Sequence, residues 1–183
     1  MGRERDAEFY DQHLHRYKDP AKSLWVPIYK IAFSLLPTDP GTVVDIGCGT
    51  GGMAKVLYDR GHMNYWGIDF SPKRIEIARK TVPDFEFTVA DIFDLTDQLR
   101  RYNCFIILEL LEHVERDLEL ITSLPQDSTV IFSVPSFDDE SHVRYFGSAD
   151  EIMFRYTHLL NFNRTSTHSR KGRVWWISKC RKR

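Results

Sequence analysis

Five short runs in the chain are apolar almost without interruption: "TVVDI" (42–46), "NYWGID" (64–69), "FEFTVA" (85–90), "CFIILEL" (104–110) and "TVIFSV" (129–134). β-Branched and aromatic residues dominate them, which predicts strands covered on both faces, as in a parallel sheet. Between these runs the apolar period lengthens. "GMAKVLYDRG" closes at Gly61, "SPKRIEIARK" opens with Ser71 as a cap and Pro72 in its first turn, and "EHVERDLELITSL" carries apolar residues at helical spacing. All three predict helices. A fourth helix is signalled by "SADEIMFRYTHLL", where Ser148 and Glu151 make a capping box. After it, "LNFNRTSTHS" and "RVWWISKC" flank "RKG" and predict an antiparallel hairpin at the sheet edge. Strand and helix in repeated alternation give an α/β fold, a doubly wound and mostly parallel seven-stranded sheet with an antiparallel edge strand.

The first forty residues place Phe9, Tyr10, Tyr17, Trp25 and Tyr29 among polar neighbours and predict N-terminal helices. Residues 1–40 are thus expected to form a helical cover and residues 41–183 the main domain. With 183 residues, no internal repeat and no Gly, Ser or Pro-rich linker, the chain is expected to be one domain overall.

Composition then limits what that domain does. Lys and Arg number 25 against 26 Asp and Glu, a balance that excludes a chain built mainly to coat nucleic acid. The charges are uneven, however, since the last twenty residues hold eight Lys or Arg and no acid. Such a tail is either a solvated end or a surface that faces phosphate or RNA. Three cysteines without paired spacing, Cys48, Cys104 and Cys180, read as reduced thiols. The opening "MGRERDAEF" is not apolar and no run reaches transmembrane length, so a cytoplasmic protein with no membrane partner is expected.

The chemistry starts at "VVDIGCGTGG" (43–52), where Gly47, Gly49 and Gly52 satisfy G-x-G-x-x-G directly after a strand and at the mouth of a helix. Missing side chains let the backbone approach a ligand closely, and Asp69 ends the next strand where a carboxylate accepts ribose hydroxyls. This is a nucleoside-binding corner, open to a nicotinamide dinucleotide or to S-adenosylmethionine. A nicotinamide-dependent oxidoreductase needs room for a substrate domain that 183 residues do not provide. The stretch also resembles the first motif of class I S-adenosylmethionine-dependent methyltransferases, D-x-G-x-G-x-G, through Asp45, Gly47, Gly49 and Gly51. That resemblance covers roughly residues 40 to 135 and implies a Rossmann-like fold with S-adenosylmethionine as cofactor. It implies Asp45 and the backbone around Gly47, Cys48, Gly49 and Gly51 near the methionine part, Asp69 with Phe70 at the ribose, and Asp91 with Ile92 beside the adenine. Glu109 completes the expected cofactor set.

After the fourth strand, "ELLEHVERD" resembles the E-x-x-E-H of two subgroups, ubiquinone-pathway O-methyltransferases and enzymes that methylate the terminal 2′-hydroxyl of small RNAs. In a helix Glu109, Glu112 and His113 would share one face and could hold a divalent metal ion that polarises a hydroxyl acceptor. The competing reading puts the two acids at a helix N-terminus for its dipole and His113 in packing or against the acceptor. The RNA subgroup adds a second histidine where this chain has Val114. Beyond the fifth strand, "SVPSFDDESHVRYFGS" is the expected acceptor loop, with His142, like His113, a catalytic candidate as base or metal ligand. Arg144, Tyr145 and Arg155 are candidates for an acceptor carboxylate or phosphate. Tyr10 and Tyr17 suit an aromatic lid, while Trp25 and Tyr29 suit the buried stripe of a docking helix. The expected function is methylation of an oxygen on a small-molecule acceptor. Two alternatives stand beside it, a metal-dependent terminal 2′-O-methyltransferase of RNA and a non-catalytic partner subunit that binds S-adenosylmethionine.

Overall fold

The computed structural model describes residues 2–14 and 23–183. Five strands, β1 (Val43–Ile46), β2 (Tyr65–Asp69), β3 (Glu86–Val89), β4 (Cys104–Leu108) and β5 (Thr129–Pro135), pair in parallel, and β6 (Leu160–Arg170) and β7 (Arg173–Lys182) form a long hairpin. The sheet order is β3-β2-β1-β4-β5-β7-β6, with β7 antiparallel to both of its neighbours. This is the Rossmann-like, doubly wound architecture, and the hairpin occupies the edge at which it was expected.

Successive side chains of each strand serve opposite cores, which is why the strand sequences read as continuous apolar runs. Val43, Tyr65, Cys104, Ile106 and Ile131 pack on one face with Ile28, Ala32 and Leu35 of α2 (Val26–Leu35), Met53, Ala54 and Leu57 of α3 (Gly52–Tyr58), and Ile75 and Ala78 of α4 (Pro72–Thr81). Val44, Ile46, Phe105, Ile107, Val130 and Phe132 pack on the other. There they meet Leu99 of α5 (Thr96–Leu99), Leu120 and Ile121 of α6 (Asp117–Ser123), and Ile152 and Tyr156 of α7 (Ala149–Tyr156). The short α5 and a single 3₁₀ turn at Ile92–Asp94 carry too little periodicity to be read from sequence.

The helix caps follow the sequence closely. Ser71 accepts the amide of Arg74, and Ser148 accepts that of Glu151, whose carboxylate reaches back to the amide of Gly147 rather than to the cap residue itself. The helix expected over "EHVERDLELITSL" from residue 112 is α6, which begins only at Asp117. Glu109 sits in left-handed backbone at φ 52°, and the guanidinium of Arg144 takes the carbonyls of Leu111, Val114 and Glu115. Those carbonyls are the acceptors a helix would have used, so a residue thirty positions downstream holds the segment as a turn. The N-terminal region contributes α1 (Ala7–Gln12) and α2, and Tyr17 lies outside the described residues.

Candidate cofactor and active site

The carboxyl ends of β1, β2 and β4 open into a cavity of about 890 Å³, walled on its other sides by α1, the loop after β5 and the tip of the β6–β7 hairpin. Its position follows from the topology. β1 crosses to β2 on one side and its other neighbour is β4, so the crevice forms at the point where the winding reverses.

At that point the chain leaves β1 through the glycines. The amides of Gly47 and Cys48 both donate to the Ile68 carbonyl, at 2.8 and 3.0 Å, which ties the turn to the end of β2. Gly49 donates its amide to Asp69 Oδ2 at 2.9 Å, and the Ser71 amide donates to Oδ1 at 2.9 Å. Each carboxylate oxygen keeps a lone pair for a further donor. Burial raises the Asp69 carboxyl above its ordinary range. Among the described residues a Cβ on Gly49 would meet nothing within 4 Å, so the space beside it belongs to the cavity. Gly51 differs. With φ at +81°, its added Cβ would stand 3.2 Å from the Cα and Cβ of Ala78, so this glycine lets α3 approach α4 and does not line the cavity as expected. Gly52 does the same for α2, since its Cβ would fall 2.5 Å from the Tyr29 ring.

The remaining residues expected around the cofactor, Asp45, Gly47, Cys48, Gly49, Asp69, Phe70, Asp91, Ile92 and Glu109, all line the cavity. Asp45 is 2% exposed, accepts a hydrogen bond from the Tyr65 hydroxyl at 2.7 Å, and is pushed up to about 7 by burial. Tyr65 was missed in the sequence, where it reads only as the first apolar residue of β2. Asp91 stays exposed at the other end and caps the Ile92–Asp94 turn through the Phe93 amide at 3.0 Å. Cys48 is buried and its thiol is raised well above the usual range by burial, which suits packing and not chemistry. Above them α1 closes one wall. Tyr10 stands 5.6 Å from the Phe70 ring and 5.9 Å from the His113 ring, with the Arg74 guanidinium 4.5 Å from its own centre. Trp25 packs edge-on against Trp175 at 5.6 Å.

Past β4 the geometry regroups the expected metal ligands. Glu109 turns back toward the sheet, where Ser133 Oγ donates to Oε1 at 2.6 Å and the Trp175 indole donates to Oε2 at 2.8 Å. Burial raises its carboxyl to about 7. It therefore does not share a face with Glu112 and His113, as helical spacing had suggested. His142 takes its place, because one donor atom each from Glu112, His113 and His142 lie within 4.8 Å of one another. The His113 Nδ1 bonds the Ser141 carbonyl at 2.9 Å and the His142 Nδ1 bonds the Phe137 carbonyl at 3.0 Å. A carbonyl fixes the proton on Nδ1, so each Nε2 presents a lone pair. Burial keeps both rings neutral, taking His113 down to about 4 and lowering His142 as well. Glu112 is fully buried, burial raises its carboxyl well above the usual range, and neither of its oxygens has a hydrogen-bond partner among the described residues.

Three residues offered for acceptor binding lie elsewhere. Arg155 makes a two-pronged pair with buried Asp117 at 2.7 and 2.8 Å, Tyr156 donates to the same carboxylate at 2.7 Å, and Arg144 adds a contact at 3.3 Å. This network joins α6, α7 and the loop after β5. Tyr145 is 44% exposed and also lies off the cavity. The cations that do line it are Arg5 and Arg74 and, from the basic tail, Arg170, Lys171 and Arg173.

A doubly wound sheet with acids at the carboxyl ends of β1 and β2 and a glycine turn between them defines an α/β protein with its crevice at the reversal of winding. A methyltransferase-domain family matches residues 43–124. Among curated relatives, a demethylmenaquinone methyltransferase of Thermotoga maritima is 34% identical over 40% of this chain and 32% of its own length. A ubiquinone biosynthesis O-methyltransferase of Neisseria meningitidis is 26% identical over 70% of this chain and 56% of its own. The chain thus spans between a third and just over half the length of these relatives. Among solved structures, a 1,6-didemethyltoxoflavin-N1-methyltransferase from Burkholderia thailandensis, with its substrate and S-adenosylhomocysteine bound, aligns over 96% of this chain and 88% of its own. Its TM-score is 0.72 at 18% identity, a likeness of fold. Residues 43–124 are thus similar to a methyltransferase domain, and the curated relatives they resemble are methyltransferases. No helix among the described residues is long and apolar enough to cross a membrane.

Proposed function

We propose that the protein is an S-adenosylmethionine-dependent methyltransferase that acts on a hydroxyl oxygen of a small-molecule acceptor, with a divalent metal held by Glu112, His113 and His142. The observation that carries the acceptor chemistry is the fully buried, unpartnered Glu112 carboxylate facing two neutral imidazoles at the cavity wall. Burial and the neighbouring Glu109 hold the Glu112 carboxyl well above its usual range, and a cation beside it would stabilise the ionised form. One carboxylate and two imidazole nitrogens suit a first-row transition metal better than Mg²⁺.

The cofactor supplies a methyl group on a sulfonium, and the metal would lower the pKa of a hydroxyl bound to it. The chain's own residues do the positioning. Asp69 accepts the ribose hydroxyls, Asp91 reads the adenine edge, and Asp45 with the Gly47–Gly49 backbone holds the methionyl end. Phe70, Ile92 and Tyr10 exclude water, which matters for an in-line displacement that spreads positive charge. The O-methyltransferase among the relatives supports the choice of oxygen.

The test is calorimetric titration of Mn²⁺, Co²⁺ and Mg²⁺ into protein saturated with S-adenosylhomocysteine, repeated on Glu112→Ala and His142→Ala. One ion bound per chain, lost in both variants, supports the site. If no ion binds, the free Nε2 of His142 becomes the acceptor of the hydroxyl proton, and the metal is withdrawn. Stabilisation by NAD and not by S-adenosylhomocysteine would overturn the methyltransferase reading itself.

A further inference from the structure

We infer that the tip of the β6–β7 hairpin is an anion subsite of the same cavity, and that the acceptor is a small molecule with a carboxylate, phosphate or sulfate on an apolar body. The inference rests on the methyltransferase reading above and names its substrate class. Arg170 and Arg173 pair across the ladder and are joined by Lys171 and Gly172, at φ 49° and 76°. Two left-handed residues in a two-residue loop make a turn that matches strand twist, so the three cations are carried on a rigid support. All three line the cavity, and none forms an ion pair with a described residue.

The cavity is thereby polarised. Asp45, Asp69 and Asp91 line the part assigned to the cofactor, with Arg74 beside Asp69, while Arg170, Lys171 and Arg173 line the hairpin tip, and the nearer acid Glu109 is already held by Trp175 and Ser133. The sulfonium and ammonium of S-adenosylmethionine are drawn to the acids at the strand ends and repelled by the hairpin cations, and its carboxylate, on the same carbon as the ammonium, is held on the Asp45 side with it. The cations are therefore left for the second ligand. Arg173 places its guanidinium 4.4 Å from the centre of the Phe137 ring, an arrangement that holds the group in place while its N–H edge stays available in its own plane. Phe137 packs on Trp175 at 5.2 Å and on His142 at 5.7 Å. One aromatic ring thus separates the cations from the residues proposed to meet the acceptor hydroxyl, a separation of one small-molecule length. Three charges gathered in one turn suit a single anionic group, whereas a nucleic acid calls for a stripe that follows successive phosphates.

The test uses the triple variant Arg170→Gln, Lys171→Gln, Arg173→Gln, which leaves Gly172 and the turn intact. Protein saturated with S-adenosylhomocysteine is titrated with phenyl phosphate, benzoate and the neutral benzyl alcohol. We expect the wild type to prefer the two anions by about tenfold, and the variant to lose that preference while its affinity for S-adenosylhomocysteine stays within about twofold. Equal affinity for all three compounds, or a preference that survives in the variant, overturns the subsite and leaves cofactor binding untouched. A variant that binds S-adenosylhomocysteine much more weakly would assign the cations to the cofactor carboxylate, which also overturns it. So would a short single-stranded RNA that binds through these residues with steep salt dependence when neither small anion binds. Failure of the wild type to bind S-adenosylhomocysteine would instead remove the methyltransferase reading beneath it.

Discussion

Asp45→Asn separates what the acid at the end of β1 does for the cofactor from what it costs the fold. The carboxyl is 2% exposed and is raised from an ordinary 3.8 to about 7, chiefly by burial and against the pull of the Tyr65 hydrogen bond. Because the folded-state value lies above the unfolded one, the contribution to stability is present in full below about pH 4 and is lost as pH rises through about 7. At about 1.36 kcal/mol for each pH unit, the ligand-free protein gives up about 4 kcal/mol on passing to pH 8. Asparagine has the same shape, still accepts from Tyr65 and never ionises. The variant is therefore expected to match the wild type near pH 4 and to exceed it at pH 8, by roughly 8 to 16 °C in melting temperature for a chain of this size. It should also bind S-adenosylhomocysteine about tenfold more weakly, having lost a charged partner for the methionyl ammonium. The assay is thermal and urea unfolding of both proteins between pH 4 and 9, without ligand. A difference that does not grow with pH, or a variant less stable at pH 8, would refute the assignment of Asp45 as a carboxylate held ready at the expense of the fold.

The last two glycines of "GCGTG" should differ in what alanine does to cofactor affinity. Gly51→Ala meets Ala78 at 3.2 Å in left-handed backbone and should cost about 2 kcal/mol of stability in urea unfolding, with cofactor affinity little changed. Gly49→Ala meets no described atom within 4 Å but sits at φ +54°, so it should cost about 1 to 2 kcal/mol of backbone strain and also lose S-adenosylhomocysteine affinity in calorimetry, its methyl group standing where the ligand goes. Asp117→Ala strands Arg155 and the Tyr156 hydroxyl and should lower stability by about 3 kcal/mol or more, while the folded protein binds cofactor normally. Arg144→Ala frees the carbonyls of residues 111, 114 and 115, and should weaken Mn²⁺ binding by about tenfold. Cofactor affinity should hold, and Arg144→Lys should restore only part of the metal binding.

The sheet was legible because each parallel strand is buried twice. Cys104–Leu108 is apolar at every position, with Cys104, Ile106 and Leu108 in one core and Phe105 and Ile107 in the other. A sequence constrained from both sides has little freedom to disguise itself. The helices were read from caps and periodicity, both local. The one serious misreading, a helix from residue 112, came where local pattern lost to a distant contact. Leu111, Val114, Leu118 and Ile121 keep helical spacing, and only the Arg144 guanidinium, whose place depends on the whole fold, takes the first turn away.

That same contact decides the chemistry. Three helical residues, Glu109, Glu112 and His113, would have faced one way with His142 left over. In the turn, the left-handed Glu109 swings its carboxylate to Trp175 and Ser133, and His142 arrives at Glu112 and His113 from the loop after β5. Most residues assigned to the cofactor could be placed at the cavity from sequence because they follow strand ends at fixed offsets, and fixed offsets survive any detail of packing. The acceptor side had no such rule. Arg144 and Arg155 look no different in sequence from Arg170 and Arg173, yet the first pair is tied to the carbonyls and carboxylate of one buried network while the second lines the cavity. Which arginine meets a ligand depends on whether a buried acid has already claimed it. Asp117, at zero exposure, claims two, and the hairpin tip has no acid partner among the described residues.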